Sequence, residues 1–451
     1  MSERPMGALN EALKKSLLAA LVTFGLSFPI VVYRTDVNLA NQLILKERWG
    51  LALLLAAAAF ILRFAVIVFR RTGAERAPLS TVMSTAPAHP VIRELPRVGL
   101  VFLLAYPFLV WAATGNTGAI KWIDNFGVQI LIYILLAWGL NVIVGFAGLL
   151  DLGFVAFYAV GAYTTALLAK TFGLSFWILL PLAGVLAAFW AILVGLPIIR
   201  LRGDYIAIVT LAFAEIVRLV LVNWVPVTGG YAGVSGIPAP AIAGYTLTMG
   251  PDNLALALGL PPSPLYRLFF MFYLILALVA LCYWVTTRLR TLPVGRAWEA
   301  MREDEIACRS LGISIAKTKL SAMAAGAFFG GIGGAFFASR QGFISPESFV
   351  FMESAVLVAI VVLGGLGNMM GVAIAAVVMI GGTELLRELT FLKQLFGPQF
   401  DPTQYRMLLF GLAMVMIMVW RPKGLIASRE PSVRLGLTPP PRTGHATVPA
   451  E

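Results

Sequence analysis

Stretches of close to twenty apolar residues recur along the chain. They fall at about 16–33, 50–69, 98–114, 126–145, 150–169, 175–199, 205–224, 267–287, 320–339 and 406–420. A helix needs roughly 20 such residues to cross the hydrocarbon of a bilayer, because each residue advances it by only ~1.5 Å. A transmembrane β-strand needs only ~9–11 residues of alternating polarity, so a barrel is excluded. Inside lipid every backbone N–H and C=O must find a partner within the protein. The fold class is therefore all-α: a polytopic helical integral membrane protein with about ten full spans. The 16–33 run lacks a small-residue cleavage pattern and is long for a signal-peptide core, so it reads as a retained span.

Charge then gives sidedness. With the N-terminus in the cytoplasm and the spans alternating, segments 1–15, 70–97, 200–204, 288–319 and 421–451 are cytoplasmic and hold 22 of the 34 Lys and Arg residues. Outer segment 225–266 holds none. This is the positive-inside pattern, and it puts both termini in the cytoplasm. It also accounts for the net charge of +12 without invoking nucleic acid.

The stretch 355–386 must leave the outer side and return to it, yet it is broken by "GGLGNMMG" at 364–371. A broken-helix hairpin with its glycine-rich tip inside the membrane is one expectation; two short full spans give the same sidedness. Segment 71–97 is rich in Pro and Ala, so 1–96 reads as a two-span N-terminal appendage with its linker. Residues 97–428 form the main transmembrane domain, and 429–451, with "TPPPRTG", a disordered tail.

Against this apolar background "GRAWEAMREDEIACRSLGIS" (295–314) is a charged island. Charged residues alternate with Trp298, Met301, Ile306 and Leu311, which predicts one short amphipathic helix stopped at Gly312. A solvated loop and a docking helix for a cytoplasmic protein both fit; mixed charge disfavours anionic lipid as the partner. In "GAFFGGIGGAFFA" Gly326, Gly330 and Gly334 have the small-xxx-small spacing of close helix packing. Neither this nor any other stretch has the G-x-x-x-x-G-K-[ST] of a phosphate loop. Glu215 and Arg218, three apart within a span, can pair on one helix face, as a structural ion pair or on a translocation route. Asp151 is expected to cap the helix that follows it. His89 and His445 lie in a linker and a tail, and Cys282 and Cys308 have no ligand spacing. No catalytic residue and no metal site are expected.

Four separated motifs in order carry a resemblance: "LNVIVGFAGLLDLGFVAFYAVGAYTTALL" (140–168), "LRGDYIAIVTLAFAEIVRLVL" (201–221), the charged island, and "GFISPESFVFMESAVLVAIVVLGGLGN" (342–368). Together they resemble the LivM-type permease of bacterial high-affinity branched-chain amino acid ABC transporters, over roughly 97–428. The resemblance implies an ABC importer permease fold in the bacterial inner membrane. It implies a heterodimer with a LivH-type permease, two cytoplasmic ATP-binding subunits, and a periplasmic binding protein delivering leucine, isoleucine or valine. ATP would be hydrolysed by those partners, with no cofactor bound by this chain. The island lies where the family's coupling loop (about 288–319) lies, so Glu299, Arg302, Glu303, Asp304, Glu305, Ala307 and Gly312 are the expected ATPase-coupling residues. "EIACRSLG" departs from the general Glu-Ala-Ala pattern with a Gly four residues on, because the Glu is displaced by one. Glu215, Gly364, Gly365, Gly367 and Asn368 are the expected lining of the translocation route. A urea or amide permease of the same class is the alternative. An ion-coupled secondary transporter is a more distant one, since it would usually carry paired acidic residues at mid-membrane or an internal repeat.

Overall fold

The computed structural model describes residues 90–388 except Arg202, 242–244 and 246–262. Outside that range it describes a hairpin near the N-terminus and isolated positions of the flanking segments. By internal contacts the chain divides into Met1–Glu94 and Leu95–Glu451. In the first unit, β1 (Tyr33–Val37) and β2 (Leu43–Glu47) pair antiparallel, Tyr33 opposite Glu47. The expected spans 16–33, 50–69 and 406–420, and the tail 429–451, lie largely or wholly outside the described residues.

The second unit is a helix bundle. α1 (Pro90–Lys121) bends at Gly115 and runs on through a π-helical turn, Trp122–Val128, into α2 (Gln129–Asn141) and a second π turn, Val142–Phe146. There follow α3 (Val155–Phe172), α4 (Phe176–Ile198), α5 (Asp204–Asn223), the single turn α6 (Val225–Thr228) and α7 (Pro264–Thr291). Two short helices, α8 (Pro293–Glu303) and α9 (Glu305–Ser310), lead to the long α10 (Ile315–Gln341). The described chain ends with α11 (Phe351–Gly364), α12 (Met369–Ala376), a third π turn (Val377–Gly381) and α13 (Gly382–Glu388). Among the described residues seven helices are long and apolar enough to cross a membrane. Two residues of strand on each side, β3 (Val234–Ser235) and β4 (Phe343–Ile344), tie the loop after α6 to the loop after α10.

α10 is the centre of the bundle, packed on α2, α3 and α4. Lipid is as apolar as the helices, so close van der Waals contact rather than water release holds them together. The expected glycines divide here. At Gly334 a Cβ would lie 2.2 Å from the Tyr158 carbonyl oxygen of α3, and at Gly326 2.5 Å from the Ile143 side chain. At Gly330 the neighbours are side-chain carbons, Phe154 Cζ at 3.1 Å and Phe157 Cβ at 3.4 Å, a tight contact but one without backbone in the way. Gly331, on another face, touches the Ala183 backbone of α4 and receives Gly161 of α3. Glycine thus lets α10 approach two neighbours at once.

Two local expectations are corrected. Asp151 does not cap α3; its Oδ1 accepts from the Gly153 N–H (2.8 Å), a turn inside the 147–154 connection, and Phe154 holds the cap position without a side-chain bond. Asp favours such local backbone bonding wherever the chain turns. The hairpin arms are also longer than the 355–386 pattern suggested. The outer arm is α11, Phe351–Gly364, 14 residues and about 21 Å, and the extended Val350 separates it from the 3-10 turn Pro346–Phe349. The returning arm runs on from Met369 through the third π turn to Glu388.

Candidate coupling and translocation site

The charged island folds as two helices, not one. Asp304 breaks it with an extended backbone (φ −155°, ψ 108°), and its Oδ1 accepts from the N–H groups of Ile306 (2.8 Å) and Ala307 (3.0 Å). This N-cap satisfies two donors that would otherwise be orphaned at the start of α9. α9 stops at Gly312, whose φ of +81° is the left-handed conformation that glycine adopts without penalty. The Gly312 N–H bonds to the Arg309 carbonyl and the Ile313 N–H to the Cys308 carbonyl, a Schellman closure.

The break re-aims the apolar residues. Trp298 and Met301 of α8 are buried, and the Trp298 Nε1–H donates to Ser321 Oγ of α10 at 2.9 Å. Ile306 and Leu311 face outward instead, 71% and 81% exposed. The single apolar face expected from the alternation does not form, because the helical phase restarts at Asp304.

The expected coupling residues sort into two groups. Glu299, Arg302 and Glu305 hold the corner in place. Glu299 pairs with Arg290 at 3.0 Å, and the Arg290 guanidinium lies 4.9 Å over the Phe146 ring. Glu305 pairs with Lys319 of α10 at 3.3 Å, and Lys319, only 2% exposed, also donates to the Leu201 carbonyl at 3.3 Å. Arg302 donates to the carbonyl of Gly145 in the second π turn. Glu303, Asp304, Ala307 and Gly312 are exposed around Ile306 and Leu311. One amphipathic helix would put all four apolar residues on a single face; the signal that Ile306 and Leu311 leave it is their position beyond an N-capping Asp.

The glycine-rich tip meets this corner. Gly365 and Gly367 turn the chain with φ of +105° and +82°, and Asn368 caps α12 by accepting from the Gly371 N–H at 3.0 Å. The Gly367 N–H donates to Asn141 Oδ1 (3.0 Å), and Trp138 Nε1–H donates to the Met369 carbonyl (2.7 Å). Arg302 fills the space beside Gly367: its Nη1 lies 3.3 Å from where a Cβ on Gly367 would sit. Gly364 packs directly on the backbone of Gly371 and Val372. Among the described residues Glu215 makes no bond to this tip. It is held by Arg218, with contacts of 2.6–3.1 Å, and Arg218 reaches on to Glu347 at 3.7 Å.

Residues 122–418 match the family described as branched-chain amino acid transport system / permease component. The chain belongs to that family. Residues 11–111 match a separate domain of unknown function. Over 341 residues the permease is 46% identical to the high-affinity branched-chain amino acid transport system permease protein LivM of Escherichia coli K12, covering 74% of this chain and 75% of the relative. The same figures hold for LivM of Salmonella typhimurium LT2. A probable branched-chain amino acid transport permease LivM of Methanocaldococcus jannaschii is 30% identical over 257 residues, 56% of this chain and 69% of the relative. No solved structure matches. This is a multi-pass membrane protein and a permease subunit of a transporter.

The Glu305–Lys319 pair yields a direct test of how the corner is held. Removing one partner strands a charge in a largely buried place, so Glu305→Ala is expected to destabilise the permease by about 2–3 kcal/mol, less than a fully buried pair because Glu305 is partly solvated. Adding Lys319→Met should recover most of that loss. Protease cleavage within 292–314 is the readout; equal cleavage in the single and double variants would deny the pair any such role.

Proposed function

We propose that this permease is one of two membrane subunits of an ATP-driven importer of branched-chain amino acids. Its partners in this reading are a LivH-type permease, two cytoplasmic ATP-binding subunits and a periplasmic binding protein. It sits in the bacterial inner membrane with both termini in the cytoplasm. ATP is bound and hydrolysed by the partners, and this chain supplies part of the route.

The observation that carries the proposal is the joint at Arg302. One side chain of the coupling corner bonds the end of α2 through Gly145 and fills the space beside the hairpin tip at Gly367. A push on the exposed Ile306–Leu311 surface is thereby delivered to two membrane elements at once. Packed interiors shift between discrete arrangements rather than deforming smoothly, so a displacement at this corner can switch the hairpin relative to α2. The Glu215–Arg218 pair supports a second membrane subunit: at 44% and 21% side-chain exposure it would be costly against lipid and less so against another helix.

Reconstitution in proteoliposomes tests the reading. The complete complex is expected to accumulate leucine only with ATP inside and binding protein outside. Arg302→Gln should keep the ATPases bound and hydrolysing ATP while uptake falls about tenfold or more, the scale of losing one charged hydrogen bond. Uptake by the isolated chain driven by an ion gradient would overturn the proposal.

A further inference from the structure

A second polar cluster lies toward the other end of α2, about 18–24 Å along the helix from Gly145 at Tyr133 and Gln129. Here the Tyr133 O–H donates to Glu353 Oε2 at 2.6 Å. Close by, Arg340 at the end of α10 donates from Nε to Asp124 Oδ1 (2.8 Å) and from Nη1 to Gln129 Oε1 (2.6 Å). Between them is a cavity of about 200 Å³. By the distribution of Lys and Arg this is the outer side of the membrane, where a substrate would enter.

We propose that this cavity is a binding site for the zwitterionic amino acid on its way through the permease, with Glu353 receiving the ammonium group. The site rests on the import reading above. Three features of its lining carry the proposal. Among the described residues no basic side chain lies within ion-pairing distance of Glu353, which sits in the first turn of α11 with the Tyr133 hydroxyl as its partner and keeps acceptor capacity for a cation. Gln129 spends its amide oxygen on Arg340, so the group it can offer the cavity is its NH2, a donor suited to a carboxylate and backed by a guanidinium. The rest of the wall is mostly apolar: Leu136, Leu357 and Phe337, with Ser348 and with Tyr158, whose ring lies 5.4 Å from that of Phe337.

The cavity therefore has one acidic pole, one donor pole and an apolar floor. That is the complement of an α-amino acid with a hydrocarbon side chain. Its volume is below the roughly 300–1,000 Å³ of drug-sized sites and of the scale of one amino acid. Recognition of both charged ends would exclude a hydrocarbon lacking the ammonium, and the apolar floor would disfavour charged side chains. The site also lies at the head of α11, whose far end is the tip held beside Arg302. One helix thus runs from the proposed site to the coupling corner.

The test uses the complete transporter in nanodiscs and proteoliposomes. Without binding protein, the wild type is expected to bind leucine weakly and to discriminate against 4-methylpentanoate, which lacks the ammonium. In Glu353→Gln both leucine binding and ATP-driven uptake should fall about tenfold to a hundredfold, the loss of one charge-assisted contact, and the discrimination should vanish. Glu353→Asp should retain discrimination. The subunits should co-purify normally in both variants. Equal leucine uptake by wild type and Glu353→Gln overturns the site while leaving the import reading intact. Failure of Glu353→Gln to hold the partner permease would make Glu353 a subunit contact and overturn the site too. A wild-type complex that neither binds nor moves leucine overturns the import reading and the site together.

Discussion

In the proposed importer, replacing Ile306 and Leu311 together by aspartate is expected to release the ATPase subunits from the membrane complex. The two side chains stand out from the coupling corner and are ringed by Glu303, Asp304, Ala307, Arg309 and Gly312, all exposed. Apolar anchors inside a polar rim are the usual energetic centre of a protein–protein contact, and each is worth about 2 kcal/mol or more when lost. Two such losses weaken association about a thousandfold. Neither residue supports the fold, because the inward contacts are made by Trp298, Met301 and Cys308. Membrane insertion and pairing with the partner permease should therefore persist, and co-purification of the ATPases should not. Glu303→Ala, a rim change, should cost within about 0.5 kcal/mol. If the double aspartate variant retained its ATPases, the docking surface would have to lie elsewhere.

The other large effect is expected inside the bundle. Gly334→Val should prevent α3 and α10 from meeting. A Cβ there would stand 2.2 Å from the Tyr158 carbonyl oxygen and 2.7 Å from the Ala162 nitrogen, both backbone atoms that no rotamer change can move. Ordinary overpacking against side chains costs about 1–3 kcal/mol; forcing two backbones apart costs more and unzips contacts along both helices. Gly330→Ala, four residues earlier, should cost less than about 1.5 kcal/mol, since its nearest neighbour is the far edge of a ring. Thermal unfolding of the purified permease in detergent distinguishes them. Similar midpoints for the two variants would mean that α10 is not seated as described.

Long-range class was legible because bilayer thickness imposes a length on every span. That pattern survives without any knowledge of packing. Individual roles were not legible, and Asp304 shows why. One side chain bonding to two backbone N–H groups restarts the helical phase, turning Ile306 and Leu311 away from the face that carries Trp298 and Met301. The small-xxx-small spacing describes one packing stripe, yet Gly331 adds a contact to α4 that Gly334 does not make, because a helix surrounded on several sides needs small residues on several faces. The meeting of Arg302 with Gly367 joins segments 65 residues apart in sequence, and neither segment taken alone points to the other. Glu353 escaped notice as a lone acid at the start of an apolar run. Only its Tyr133 partner, 220 residues earlier, gives it a context.

The π turns at both ends of α2 carry a consequence for how this sequence can change over generations. A π turn accommodates one surplus residue without disturbing the helix on either side. Losing one residue from an ordinary helix rotates everything beyond it by about 100° and scatters its contacts. Losing one from Trp122–Val128 or Val142–Phe146 would instead let the turn relax to α-helical form while Tyr133, Trp138 and Asn141 keep their bearings. Those two turns, with Val377–Gly381, are where single-residue deletions should be survivable in descendants of this chain, and elsewhere in the described spans they should not.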